Sequence, residues 1–222
     1  MNRPPEAWKM LRNLRKSDTC VVIGNGPSLQ DVPLSFLHKY DSFGSNRIYM
    51  LPFSPMFYAC VNPLVLDQFS AEISHLDSQA KFIAESHSEL VPGCFSLHSG
   101  SVPTFSREPW RSIYEGFTVT YVLLQLAFFI GYDSVLMIGV DHRYLMDGRP
   151  NEQTVRSGDD PNHFHPDYFG KGSVWNNPDL ASSERSYHMA KSVFEDAGKR
   201  IINLTPNSAL DVFDKAELAD YL

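Results

Sequence analysis

The apolar run 20–23, three of whose residues are β-branched, breaks at once into Gly24-Asn25-Gly26-Pro27-Ser28. β-Branched residues suit a strand. A strand that ends in a Gly-x-Gly turn can bring its backbone close to a ligand, because glycine lacks the Cβ that would block the approach. Two common nucleotide motifs do not fit. A dinucleotide fingerprint needs a third Gly where Leu29 stands, and Pro27 has no N–H to offer a pyrophosphate. A P-loop needs Gly-Lys-Ser/Thr, and no Lys follows. What remains is a strand-loop site offering Gly24, Asn25, Gly26, Pro27 and Ser28 to a nucleotide, or else an ordinary Gly-Pro turn.

Further apolar or β-branched runs at 41–45, 56–61, 81–85, 134–140 and 200–204 read as strands alongside 19–23. Helical stretches lie between them: one opening at Pro33, others at 63–70, 118–130 and 182–197, the last stopping at Gly198. This alternation predicts an α/β fold, a mostly parallel sheet with helices on both faces, whose ligands bind at the carboxyl ends of the strands. One domain over 19–222, preceded by an amphipathic helix within 1–18, accounts for the 222 residues.

A formal charge of −7 argues against a general nucleic-acid binder, which would carry a basic surface. Cys20, Cys60 and Cys94 lack metal-ligand spacing and read as reduced thiols. The first residues lack the apolar h-region of a secretory signal, so a cytoplasmic location is expected. The apolar stretch 121–130, interrupted by Gln125, is too short to cross a bilayer. Trp8, Leu11 and Leu14 recur at helical spacing among Lys9, Arg12, Arg15 and Lys16. That pattern fits a helix packed on the domain's flank or one resting peripherally on an anionic membrane.

Helix 118–130 is apolar nearly all round, so it is expected to be buried with Thr118 or Thr120 at an N-terminus that would welcome an anion. Segment 141–180 differs in kind: polar, rich in Pro, Gly, Asn and Asp, and studded with aromatic residues. A long loop of that sort inside a compact domain is usually functional, often a lid. It carries His142, His163 and His165, and a loop histidine over a nucleotide site can take a proton from a hydroxyl at neutral pH. The competing reading is a metal site on His163, His165 and Asp167, at alternate positions, completed by Asp141 or His142.

Gly24 to Leu29, Ser45-Asn46-Arg47, Val61-Asn62-Pro63, the helix closing at Gly131-Tyr132, Ile138-Gly139-Val140-Asp141 and Thr205-Pro206-Asn207-Ser208 resemble, in order, landmarks of bacterial sialyltransferases of glycosyltransferase family 42. The chain is still more similar to the group called domain of unknown function 115. That group includes relatives of bacterial flagellin-modifying motility accessory factors and of an archaeal pterin diphosphokinase. There, stretches like Thr118-Val119-Thr120-Tyr121, Ile138-Gly139-Val140-Asp141-His142 and Asn162-His163-Phe164-His165-Pro166-Asp167-Tyr168 are typical.

The resemblance implies a Rossmann-like fold binding a CMP-activated sugar, sialic-acid-like or similar, for transfer to a glycan or glycoprotein in bacterial surface-glycan assembly. Asn25, Asn46 and Asn62 match nucleotide-sugar contacts, and Thr118 to Thr120 matches the stretch that holds the nucleotide. A loop histidine, His165 in preference to His163, would be the general base, with Arg143, Tyr144 or Tyr168 stabilising the departing phosphate. Thr205, Asn207 and Ser208 would close the pocket or cap a helix. The family's Ser-Gly after the first Thr is Val119-Thr120 here, which leaves the donor's identity open. No cofactor is required by this reading, and a homo-oligomer is compatible with it. The pterin enzyme implies the alternative, Mg²⁺-dependent diphosphate transfer from ATP with Asp141, His163, His165 and Asp167 around the metal. A nucleotide-binding module without catalysis is the third reading.

Overall fold

The computed structural model describes residues 3–222. Its strands are β1 (Thr19–Ile23), β2 (Asp41–Ser45), β3 (Phe57–Cys60), β4 (Ala80–Ala84), β5 (Phe95–Leu97), β6 (Ser134–Ile138), β7 (Gln153–Val155), β8 (Val174–Asn176), β9 (Arg200–Asn203) and β10 (Asp214–Lys215). Its α-helices are α1 (Glu6–Met10), α2 (Leu34–Lys39), α3 (Pro63–His75), α4 (Val119–Ile130) and α5 (Leu180–Asp196). Eight strands form one parallel sheet in the order β10-β9-β6-β1-β2-β3-β4-β5, flanked by helices, an α/β Rossmann-like fold. The central strands are buried almost end to end, as expected where a parallel sheet is covered on both faces.

The chain moves outward from β1 to β5, and then α4, packed on β1, β2 and β3, returns it to the other side of β1 as β6. Strand order therefore reverses between β1 and β6, and a crevice opens at their carboxyl ends. Every residue of α4 except Val119 and Phe128 is buried, and each fully buried Leu, Val, Ile or Phe contributes roughly 1.5–3 kcal/mol. Gln125 is tolerated at this depth because it is satisfied. Its Nε2 donates to the Tyr114 and Tyr121 carbonyls, and its Oε1 accepts from Ser106 N–H at 2.9 Å. Thr118 caps the helix, and Gly131, at φ 107°, ends it.

Three expectations need correction. Residues 5–16 do not form one amphipathic helix: α1 is followed by a 3₁₀ turn, Leu11–Leu14. Trp8 and Leu11 are buried, Trp8 against Phe82, Phe95 and Phe129 with ring centroids 5.1–5.8 Å apart. Of the two readings of this segment, packing on the domain's flank is the one seen; Met1 and Asn2 lie outside the described residues. Segment 141–180 is not structureless, because β7 and β8 pair as an antiparallel ribbon. The edge strands β5 and β10, too short to show an apolar run, were not expected at all. No described helix is long and apolar enough to cross a membrane, and all three cysteines are free thiols.

Candidate functional site

A cavity of about 680 Å³ occupies the crevice, walled by the ends of β1, β2, β3 and β6, the N-termini of α4 and α5, and the 141–180 segment. That size suits a nucleotide-sized ligand. Gly24, Asn25, Gly26, Asn46, Asn62, Thr118, Thr120, Asp141, Arg143, Tyr144 and His163 line it. Pro27, Ser28, His165, Asp167, Tyr168, Thr205, Asn207 and Ser208 stand behind or beside the wall.

The glycine turn packs against the loop after β6. Gly24 N–H donates to the Ile138 carbonyl (2.7 Å) and Gly26 N–H to the Gly139 carbonyl (2.8 Å). A Cβ on Gly24 would overlap the Gly139 carbonyl, and one on Gly26 would overlap Asp141 Oδ2. Asp141 in turn accepts from Ser28 Oγ (2.8 Å) and Ser28 N–H (3.2 Å). The Gly24, Gly26 and Ser28 N–H groups thus serve the fold and Pro27 has none, which leaves the Asn25 N–H as the turn's one donor without an acceptor among the described residues. Asn25 remains available. Its Nδ2 donates to Ser45 Oγ (3.1 Å), while its Oδ1 is buried without a partner among the described residues. Asn46, left-handed at φ 50°, accepts from Cys60 Sγ, and Asn62 caps α3 through Leu64 N–H.

Thr205 and Ser208 brace the wall from behind. Thr205 Oγ1 accepts from Val140 N–H (3.0 Å), Ser208 Oγ donates to the Val140 carbonyl (2.6 Å), and Ala209 N–H donates to the Asp141 carbonyl (2.9 Å). Asn207 is an exposed left-handed turn residue, and no helix follows for it to cap.

At the N-terminus of α4 the chain turns through two left-handed residues, Gly116 (φ 65°) and Phe117 (φ 63°). A Cβ on Gly116 would meet the Tyr121 ring, whereas Phe117 stands half-exposed at the rim. Thr118 Oγ1 accepts from Thr120 N–H and lies 3.3 Å from the Tyr187 hydroxyl. Val119 N–H, the first of the helix, has no acceptor among the described residues.

The 141–180 segment carries the least anticipated feature. The Asp160 carboxylate is fully buried and gathers four donors: His163 Nδ1 (2.7 Å), Asn162 N–H (2.9 Å), Phe169 N–H (3.1 Å) and Arg156 Nη2 (3.4 Å). Burial works to raise its pKa. The His163 hydrogen bond, the Asn162 N–H and Arg156 together outweigh it, so Asp160 is held below the usual carboxylate range. His163 reaches the cavity wall, and its Nε2 has no protein partner among the described residues.

His165, the favoured base on sequence, lies off the cavity and accepts from Asp167 N–H (3.1 Å). Tyr168 is buried beneath His163, its hydroxyl accepting from Arg47 N–H (3.2 Å). Burial pushes up the phenols of Tyr144 and Tyr187, both on the wall, so they remain hydrogen-bond donors at neutral pH. Asp141, His163, His165 and Asp167 do not converge into a metal shell. Asp141 holds Ser28, His163 holds Asp160, and among the described residues no three His, Cys, Asp or Glu side chains gather as ligands. These four residues thus do not form the shell that the alternative, Mg²⁺-dependent reading would require.

Sequence reasoning missed Asp160, whose only signal is its place three residues before His163, and Glu184, which His142 Nε2 meets at 2.9 Å. It also missed Asn177, a buried residue whose Nδ2 holds the Asp147 and Arg149 carbonyls. The wall carries the carboxylates Glu115, Asp141 and Asp179 but one arginine, Arg143. Comparison with protein-family models, curated proteins and solved structures finds no match.

Proposed function

We propose that the protein is a glycosyltransferase that moves a sugar, a sialic-acid-like nonulosonate or similar, from a CMP-activated donor to a hydroxyl of a glycan or glycoprotein. The observation that carries this reading is His163, seated on a buried carboxylate through Nδ1 at the wall of a cavity formed by strand carboxyl ends. Asp160 fixes the tautomer, with the proton on Nδ1 and Nε2 free as a base.

In the reaction the acceptor oxygen bonds to the anomeric carbon while its proton passes to His163 Nε2. The bond between that carbon and the phosphate oxygen breaks, and its electron pair leaves on CMP. A positioned base of this sort is worth about 10²–10⁴ in rate. Tyr144 and Arg143 supply a neutral and a charged donor to the departing phosphate. The wall's charge favours a monophosphate donor: with three carboxylates and one arginine, a triphosphate would meet more repulsion than a phosphodiester.

The test is release of CMP from a CMP-nonulosonate in the presence of glycan acceptors, for wild type and H163Q. Acceptor-dependent release that H163Q reduces at least about 100-fold supports the reading. Equal release by both proteins removes His163 from the chemistry, and no release from any CMP-sugar overturns the assignment.

A further inference from the structure

A second histidine–carboxylate pair faces the same cavity. His142 is 9% exposed, its Nε2 lies 2.9 Å from Glu184 Oε1 on α5, and its Nδ1 has no protein partner among the described residues. Its backbone is left-handed, at φ 56°. A β-substituted side chain occupies that region at a cost of about 1–3 kcal/mol, which the surroundings must enforce. They do so from two sides. The Asp141 carbonyl just before it is tied to Ala209 N–H, and the imidazole packs edge-on against Tyr187 with ring centroids 6.2 Å apart.

Tyr187 leads to the N-terminus of α4, because its hydroxyl meets Thr118 Oγ1 at 3.3 Å. Glu184, His142, Tyr187 and Thr118 thus form a continuous chain of contacts ending beside the unpaired Val119 N–H, and His142, Tyr187, Thr118 and Val119 all line the cavity. The end of a long buried helix attracts an anion. When both of its nitrogens carry protons, an imidazole held by a carboxylate through Nε2 offers Nδ1–H to the same anion.

We propose that His142, held by Glu184, and the N-terminus of α4 form a phosphate subsite that takes the phosphate of the nucleotide. The two histidines then divide the work: His163 receives the acceptor's proton, and His142 holds the phosphate that leaves. This rests on the reading of the cavity as a nucleotide site, but not on the base being cytosine.

The experiment compares binding of CMP and cytidine by calorimetry in wild type, H142Q, H142N and E184Q, with thermal melts confirming the fold of each. The difference between nucleotide and nucleoside isolates the phosphate. A charge-assisted hydrogen bond is worth about 10- to 100-fold in affinity. H142Q places its amide where Nε2 was, so it loses CMP by about that factor and leaves cytidine within about twofold. H142N tolerates the left-handed backbone and places its amide where Nδ1 was, so it loses less. E184Q weakens CMP in the same direction and leaves cytidine alone. Wild-type CMP affinity in H142Q, or equal loss of CMP and cytidine, overturns the subsite. If another nucleoside monophosphate is bound instead of CMP, the same subtraction with that nucleotide tests His142 while the CMP reading fails. Absence of binding to every nucleoside monophosphate overturns both.

Discussion

His163 lies flat on Tyr168, ring centroids 4.0 Å apart and planes 1° from parallel, while its Nδ1 meets the Asp160 carboxylate at 2.7 Å. The stacked phenol fixes the plane of the imidazole and the carboxylate fixes its rotation. The proposed base is therefore oriented before any ligand arrives.

H163Q should lower turnover by about 100-fold or more and leave CMP affinity within about twofold, since a base acts in the transition state and not in ground-state binding. D160N should lower turnover as well, because an amide no longer dictates which imidazole nitrogen carries the proton. Steady-state CMP release and calorimetry on the same preparations check both. Parallel loss of affinity and turnover would show a structural role only.

Asp160 also sets a pH dependence. Its folded pKa is depressed, so it contributes stability above the unfolded carboxylate value of about 4, and that contribution is lost as pH falls through the folded value. Wild type should exceed D160N in melting temperature at pH 7, and the gap should shrink as pH falls through the carboxylate range. A gap that stays constant from pH 7 to pH 3 would contradict the account of the Asp160 network.

Gly26→Ala places a Cβ against Asp141 Oδ2 and Gly24→Ala places one against the Gly139 carbonyl. Each should destabilise the fold by about 1–3 kcal/mol in urea unfolding, as overpacking does, and weaken nucleotide binding through the displaced wall. Unchanged stability would return these glycines to a purely ligand-facing role.

What the sequence made legible follows from how far each signal travels along the chain. The apolar runs of β1, β2, β3 and β6 and the buried stripe of α4 are local, so the parallel sheet and its ligand edge could be read directly. Asn25, Asn46, Asn62 and Thr118 followed because each ends a strand or caps a helix at that edge. The choice between His163 and His165 could not be read. Both lie in one polar loop, and what separates them is the docking of that loop: Phe164 N–H donates to the Asn25 carbonyl (3.0 Å) and Gln30 Nε2 donates to the Phe164 carbonyl. Those contacts join residues more than a hundred positions apart. Glu184 was hidden for the same reason, since nothing in a helical segment marks which carboxylate will reach a distant loop.

Phe117 adopts φ 63° and is half-exposed. Phe117→Asn, better suited to that backbone, should stabilise the protein by up to about 1 kcal/mol in equilibrium unfolding. A loss of stability would mean that the ring's contact with Tyr114 outweighs the backbone strain.

Arg47 fastens the 141–180 segment. Its Nη1 donates to the carbonyls of Asp167 and Tyr168, and its guanidinium sits 3.8 Å over the Phe69 ring. Arg47→Ala should speed amide hydrogen exchange across 160–170 while leaving β1 and β6 protected. Uniform loosening of the whole chain, or none, would contradict that local role.

Calorimetric titration of the wild-type protein with CMP, CDP, UDP, GDP and ATP, each with and without Mg²⁺, distinguishes a CMP-sugar site from a triphosphate site. One site that prefers CMP and binds it equally well with and without Mg²⁺ is the expected result. Preference for ATP with Mg²⁺, or no binding of any nucleotide, would contradict it.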